Sequence, residues 1–143
     1  LFTSAILSGR PINVFNNGDL LRDFTYIDDI VEGVLRVTDN MATPDPDFSR
    51  SAPNPASSFS PYRILNIGNG RPIPLLEFIQ TLESALGVEA HMNFLPMQPG
   101  DMYMTSADTS KLDEWVGFKP NTLLVEGIGK FVTWYREFYK FDR

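Results

Sequence analysis

Cysteine is absent from this 143-residue chain, and histidine occurs once, at His91. Without thiols there is neither a disulfide nor a thiolate metal site, and the composition fits a reducing compartment such as the cytoplasm. A single histidine completes no Ser-His-Asp arrangement that the sequence displays and no histidine-rich metal centre. Positive charge is also short. Lys plus Arg total 12 against 18 Asp plus Glu, a net charge of −6, which is the wrong sign for a general nucleic-acid binder. No apolar run approaches the roughly 20 residues of a membrane span, and no charged-then-apolar signal segment opens the chain, so no membrane partner is expected. What is present is 43% apolar residues, enough for a core in a chain whose length suggests one domain or less. The first residues, Leu1-Phe2-Thr3, already lie in an apolar-periodic segment, which suggests a fragment.

Periodicity divides the chain into short helices and strands. Leu1, Phe2, Ala5, Ile6 and Leu7 recur at helical spacing and stop at Gly9. Ile12 to Phe15 alternate as a strand, and Asn16-Asn17-Gly18-Asp19 is turn chemistry. Phe24 to Ile27 read as a second strand. Asp28 is then expected to cap a helix through Asp39 whose buried stripe is Ile30, Val31, Val34, Leu35 and Thr38. Met41 to Pro61 holds five prolines and six Ser/Thr, so regular structure is not expected and a flexible loop is. Ile64 to Ile67 read as a strand, Pro74 to Leu86 as a helix ending at Gly87, and Val88 to Leu95 as another strand. Ser106 to Trp115 is expected as a helix capped near Asp108 and stopped by Gly117. Thr122 to Tyr139 is the last, with Leu124, Ile128, Phe131, Val132, Tyr135 and Phe138 facing inward. His91 is read as a surface residue, and Met92, Met97, Met102 and Met104 as gap-filling apolar side chains. The alternation of elements indicates an α/β arrangement.

One stretch stands apart, G-D-L-L-R-D-F-T-Y-I-D-D-I-V-E-G-V-L-R at 18–36. Arg22 is the only arginine between Arg10 and Arg36. A guanidinium is a planar fork of donors that matches phosphate oxygens; the plainer alternative is pairing with Asp23 or Asp28. The acidic pair Asp28 and Asp29 reads as a cap and helix-dipole partner rather than as catalytic carboxylates. Gly68-Asn69-Gly70 sits between a strand and a helix, but Ile73 occupies the place of a third glycine. Pro72 and Pro74 remove N–H groups that would cradle a pyrophosphate, so no cofactor-binding residues are expected here.

The segment R-D-F-T-Y-I-D-D-I-V-E-G resembles a signature of the extended short-chain dehydrogenase/reductase family, in its nucleotide-sugar epimerases and dehydratases. P-I-N-V-F at 11–15 precedes it. R-I-L-N-I-G-N-G at 63–70, F-L-P-M-Q-P-G-D at 94–101 and G-I-G-K-F-V-T-W-Y-R-E-F-Y at 127–139 follow in the family's order. The branch most resembled is the UDP-glucuronate 4-epimerases of capsule and cell-envelope sugar synthesis. The resemblance implies a C-terminal UDP-sugar-binding region of an NAD-dependent epimerase, with the N-terminal NAD-binding domain absent. The 28–40 helix and 63–68 strand would then complete a Rossmann sheet this chain lacks, leaving apolar surface free for self-association. NAD is expected in the full-length parent and not bound to this fragment.

The same resemblance implies site residues. The backbone of Asn13, Val14 and Phe15 would meet the uracil, with Phe15 flanking the base. Arg22 would grip the diphosphate and Asp101, presented by the Pro99-Gly100 turn, the ribose hydroxyls. Gln98 stands where many relatives place a second phosphate-binding arginine, and Asn66 would reach the same region. Arg22 and Asp101 are expected on opposite sides of one cleft. The family's catalytic tyrosine has a lysine four residues later. Here the residues four after each tyrosine are Ile30, Asn66, Ala107, Tyr139 and Arg143, so no catalytic residue is assigned and no turnover is expected from the chain alone. The alternative is a free-standing, non-enzymatic binding or interaction module.

Overall fold

A computed structural model describes residues 1–141, and the chain divides into two compact units. The first comprises residues 1–24, 71–106 and 122 onward; the second comprises 25–70 and 107–121.

In the first unit, helix α1 (Phe2–Leu7) leads into strand β1 (Ile12–Val14). Strand β2 (Leu21–Asp23) follows a tight turn at 15–18 in which Asn16 and Asn17 take left-handed φ of 49° and 52°. The turn is tied by the Asn16 Nδ2 donating to the Asp19 carbonyl at 2.6 Å. Gly18 has φ of +84°, and a Cβ there would stand 2.7 Å from Leu76 Cδ2, so glycine is required twice over. Strand β3 (Pro72–Pro74) runs antiparallel to β2, with Arg22 opposite Ile73. Helix α3 (Leu75–Leu86) begins directly after Pro74 and ends at the left-handed Gly87. Strand β4 (Met92–Phe94) pairs parallel with β1, Asn13 opposite Asn93. Helix α5 (Leu124–Tyr139) closes the unit.

The core lies where α1, β1, α3 and α5 meet: Ile6, Ile12, Val14, Ile79, Leu82, Leu86, Ile128 and Val132 are all at most 5% exposed. Spacing of 3, 4 and 7 along α3 and 4 along α5 puts each set on one helix face. Phe24 stacks on Phe78 with centroids 4.2 Å apart.

In the second unit, helix α2 (Ile27–Asp39) packs against helix α4 (Ser110–Val116). Gly33 of α2 makes room for Ile67 and Phe118, and Arg36 donates to the Gly117 carbonyl. The proline-rich segment is organised around Asp45. Its backbone N–H donates to the Ser58 carbonyl, and its carboxylate accepts from the Ser57 hydroxyl and the Asp47 N–H.

Several expectations are corrected. Phe24 to Ile27 form no strand: β2 lies three residues earlier and α2 already starts at Ile27. The N-cap of α2 is Tyr26, with Asp28 and Asp29 in the first turn, where their charge suits the helix dipole without capping it. Val31, Val34, Leu35 and Thr38 face solvent instead of a core, and with Ile27 they form one stripe of the helix. Ile64 to Ile67 have no strand partner among the described residues and form no ladder, apart from a single bridge between Ser57 and Arg63. Helix α4 starts at Ser110, four residues later than expected, and Thr109, not Asp108, is its N-cap; Asp108 Oδ1 still accepts the Ser110 N–H at 3.0 Å. Phe138 of α5 is 64% exposed, and Met97, Met102 and Met104 are exposed as well.

Candidate functional site

The residues that bring chemistry together stand around strand β2. On one side β3 pairs with it, and on the other the segment after Gly100 runs alongside it. The Leu21 N–H donates to the Tyr103 carbonyl at 2.9 Å, and the Thr105 N–H donates to the Leu21 carbonyl at 3.2 Å. The Asp23 N–H donates to the Thr105 hydroxyl. That segment is delivered by a tight turn. The Asp101 N–H donates to the Gln98 carbonyl at 3.1 Å, with Pro99 at the second position and Gly100 at the third with φ of +83°. Proline then left-handed glycine is the sequence a type II turn demands.

The turn places Asp101 on Arg22. Arg22 Nη2 donates to Asp101 Oδ1 at 2.7 Å, while Nη1 donates to the carbonyls of Leu21 (2.9 Å) and Tyr103 (3.2 Å). The carboxylate partner of Arg22 is therefore neither of its sequence neighbours Asp23 and Asp28. The two side chains lie side by side on one surface rather than across a cleft, 22% and 29% exposed, so solvent still reaches the pair. Three of the five guanidinium N–H groups are engaged. Among the described residues, Nε–H and one N–H of Nη2 make no hydrogen bond, nor does Asp101 Oδ2, while Oδ1 accepts from Arg22 and from the Met102 N–H. Free donors beside a free carboxylate oxygen suit a ligand carrying both phosphate and vicinal hydroxyls.

Tyr103, which sequence reading did not single out, frames this pair. Its hydroxyl donates to Asp19 Oδ1 at 3.0 Å, and the carboxylate's hydrogen bond and negative charge hold the phenol's pKa above the usual tyrosine value of 10.0. No local motif marks it, because its partner is 84 residues away.

Among the other expected site residues, Asn13 is exposed on β1 and its Oδ1 accepts from Asn93 Nδ2 at 3.0 Å. The Val14 side chain is fully buried and its carbonyl accepts the Leu95 N–H, so only backbone could meet a ligand there. Phe15 is half-buried at the start of the tight turn. Gln98 is exposed in the Pro99-Gly100 turn. Asn66 belongs to the second unit, where its Nδ2 donates to the Asp108 carbonyl at 3.2 Å. The second unit also holds a cavity of about 300 Å³ lined by Val34, Arg63, Ile67 and Trp115 among others, and no expected site residue lines it.

The segment Gly68-Asn69-Gly70 does not fit a dinucleotide. Gly70 has φ of +69° and a Cβ there would stand 3.2 Å from the Ala107 carbonyl oxygen, so backbone conformation and packing already account for this glycine. The first N–H of α3, on Leu75, donates to the Leu20 carbonyl at 2.8 Å and is not available to an anion. No step through NAD is assigned to this chain's residues. Among the described residues, no group of three or more His, Asp and Glu side chains converges as a metal would need, and no helix is long and apolar enough to cross a membrane.

Residues 1–68 match the NAD dependent epimerase/dehydratase family. The resemblance to nucleotide-sugar epimerases holds. The chain is 50% identical to an uncharacterized 37.6 kDa protein of Escherichia coli O111:H- and 45% identical to the protein CapI of Staphylococcus aureus, each alignment spanning 97% of this chain and 42% of the relative. It is 41% identical to a probable UDP-glucuronate 4-epimerase of Rhizobium meliloti, over 97% of this chain and 41% of that protein. The chain thus spans about two-fifths of the length of these curated relatives. Its fold is similar to the crystal structure of UDP-glucuronic acid 4-epimerase from Bacillus cereus in complex with UDP-glucuronic acid and NAD, with a TM-score of 0.74 and 26% identity over 96% of this chain and 39% of that one. The expected likeness to the extended short-chain dehydrogenase/reductase fold is borne out to that extent, and the sheets among the described residues are two-stranded.

Proposed function

We propose that this chain is the UDP-sugar-binding portion of an NAD-dependent nucleotide-sugar epimerase, acting on UDP-glucuronate and UDP-galacturonate at C4 in capsule or envelope polysaccharide synthesis in the cytoplasm. The observation that carries the reading is Arg22 beside Asp101, each with free hydrogen-bonding capacity, in a chain similar to an epimerase solved with UDP-glucuronic acid. In this reading Arg22 holds the diphosphate, and Asp101 Oδ2 accepts from the ribose. The backbone of Asn13, Val14 and Phe15 meets the uracil, with Gln98 at the phosphate end. The parent's remaining part supplies the NAD loop and the tyrosine-lysine pair. The second unit, with its solvent-facing stripe of Ile27, Val31, Val34 and Leu35, is the part we assign to completing the parent's NAD-binding domain. In its absence, the stripe is a surface for self-association.

Holding the nucleotide still while the sugar turns puts binding energy remote from the reacting carbon into orientation. The chain alone is expected to bind without turnover. The test is equilibrium binding of UDP and uridine to the wild type and to Arg22→Ala. Loss of a charge-assisted grip on phosphate should weaken UDP binding roughly tenfold to a hundredfold and leave uridine unchanged. Equal loss for both ligands would remove Arg22 from the diphosphate.

A further inference from the structure

We infer that Tyr103, anchored by Asp19, is a positioning residue for the Arg22–Asp101 pair; the inference deepens the nucleotide-binding reading and rests on it for its ligand. Tyr103 acts through both of its ends. Its carbonyl accepts from two donors, the Leu21 N–H at 2.9 Å and Arg22 Nη1 at 3.2 Å. One backbone oxygen therefore fixes both the strand and the guanidinium that projects from it. Its phenol, half-exposed, reaches back to Asp19 Oδ1 at 3.0 Å. Asp19 is itself fixed, because its N–H donates to the Asn16 carbonyl and its own carbonyl accepts from Asn16 Nδ2.

The consequence concerns register. Among the described contacts, segment 101–105 meets β2 through two backbone bonds to Leu21, the Thr105 hydroxyl accepting from the Asp23 N–H, and the Arg22 contacts. The bridge between Leu21 and Met104 stands isolated, not part of a longer ladder. So short a pairing does not specify its own register strongly. The phenol–Asp19 bond adds a fixed point from outside the pairing. A slip by one residue would carry the phenol away from Asp19 and Asp101 away from Arg22 together. Tyr103 thereby sets where the carboxylate meets the guanidinium, and with it the spacing between phosphate donors and ribose acceptor.

The experiment compares wild type with Tyr103→Phe, Asp19→Ala and Asp19→Asn in the 143-residue chain. UDP affinity should fall about three- to tenfold in Tyr103→Phe and in Asp19→Ala, the size of one lost hydrogen bond. Asp19→Asn keeps an acceptor for the phenol and should bind within about twofold of wild type. Without ligand, the Leu21 and Thr105 amides should exchange faster with solvent in the first two variants and not in the third. Wild-type affinity and exchange in Tyr103→Phe and Asp19→Ala would overturn the inference, as would an Asp19→Asn variant as impaired as Asp19→Ala. If the wild type itself fails to bind UDP, the functional reading falls, while the exchange data still decide the role of Tyr103.

Discussion

Arg22 and Asp101, 79 positions apart in the chain, meet through a hydrogen-bonded ion pair of 2.7 Å where the 101–105 segment runs beside strand β2. The contact depends on a turn at one end and a short pairing at the other. Both side chains stay partly exposed, so solvent screens the pair and it contributes modestly to stability. In a double-mutant cycle with Arg22→Ala and Asp101→Asn, thermal or urea unfolding should yield a coupling of about 1 kcal/mol or less. A larger coupling would identify the pair as a structural strut.

Gly18 should tolerate no side chain. Its φ of +84° disfavours L-residues, and a Cβ would press within 2.7 Å of Leu76. Gly18→Ala is expected to destabilise the first unit by more than about 1 kcal/mol, measured by chemical denaturation, because strain and overpacking add.

Core and surface leucines should separate cleanly. Leu82→Ala removes a side chain that is 1% exposed and should cost about 2–5 kcal/mol. Leu35→Ser alters a residue of α2 that is 55% exposed, and should change the stability of the isolated chain by no more than about 0.5 kcal/mol. A large loss from Leu35→Ser would mean that the stripe is covered in solution, by a second copy or otherwise, and its dependence on protein concentration would say which.

Alkaline titration should single out Tyr103. The Asp19 hydrogen bond and charge favour the neutral phenol, so its pKa lies above the usual 10.0. The bond's contribution to folding is then complete below pH 10 and is lost as pH rises through the folded-state value. In ultraviolet titration of tyrosinate, a component ionising above 10.0 should be missing from Tyr103→Phe and should move back toward 10.0 in Asp19→Asn. An unchanged profile in both variants would contradict the Asp19 contact.

Legibility in the sequence followed whether an element carries its own instructions. Helices α3 and α5 were readable because their apolar residues repeat at helical spacing, and the Gly87 and Gly117 stops were readable for the same local reason. The Pro99-Gly100 turn was legible too, and with it the presentation of Asp101. Strand β2 was misplaced because F-T-Y-I has better strand composition than L-R-D. The real partner, Pro72–Pro74, looks unlike a strand, yet it pairs as a short edge where two missing N–H groups are tolerated. Periodicity alone reads the α2 stripe as buried, whereas the resemblance implies that α2 and the 63–68 segment leave apolar surface uncovered, and Val31, Val34 and Leu35 are indeed exposed: apolar periodicity says which face seeks cover, not whether the cover is present. At the site, Arg22 and Asp101 were picked out by motif, but their direct bond and the role of Tyr103 come from contacts some 80 residues apart, which no local pattern encodes.

The most direct test of the account is a UDP titration followed by NMR at the Arg22 Nε–H and the Asp101 amide of the wild-type chain. Both resonances should move together along one saturable curve, with uridine shifting Asp101 more than Arg22 and inorganic phosphate shifting Arg22 more than Asp101. No movement of either resonance at millimolar UDP would contradict the account.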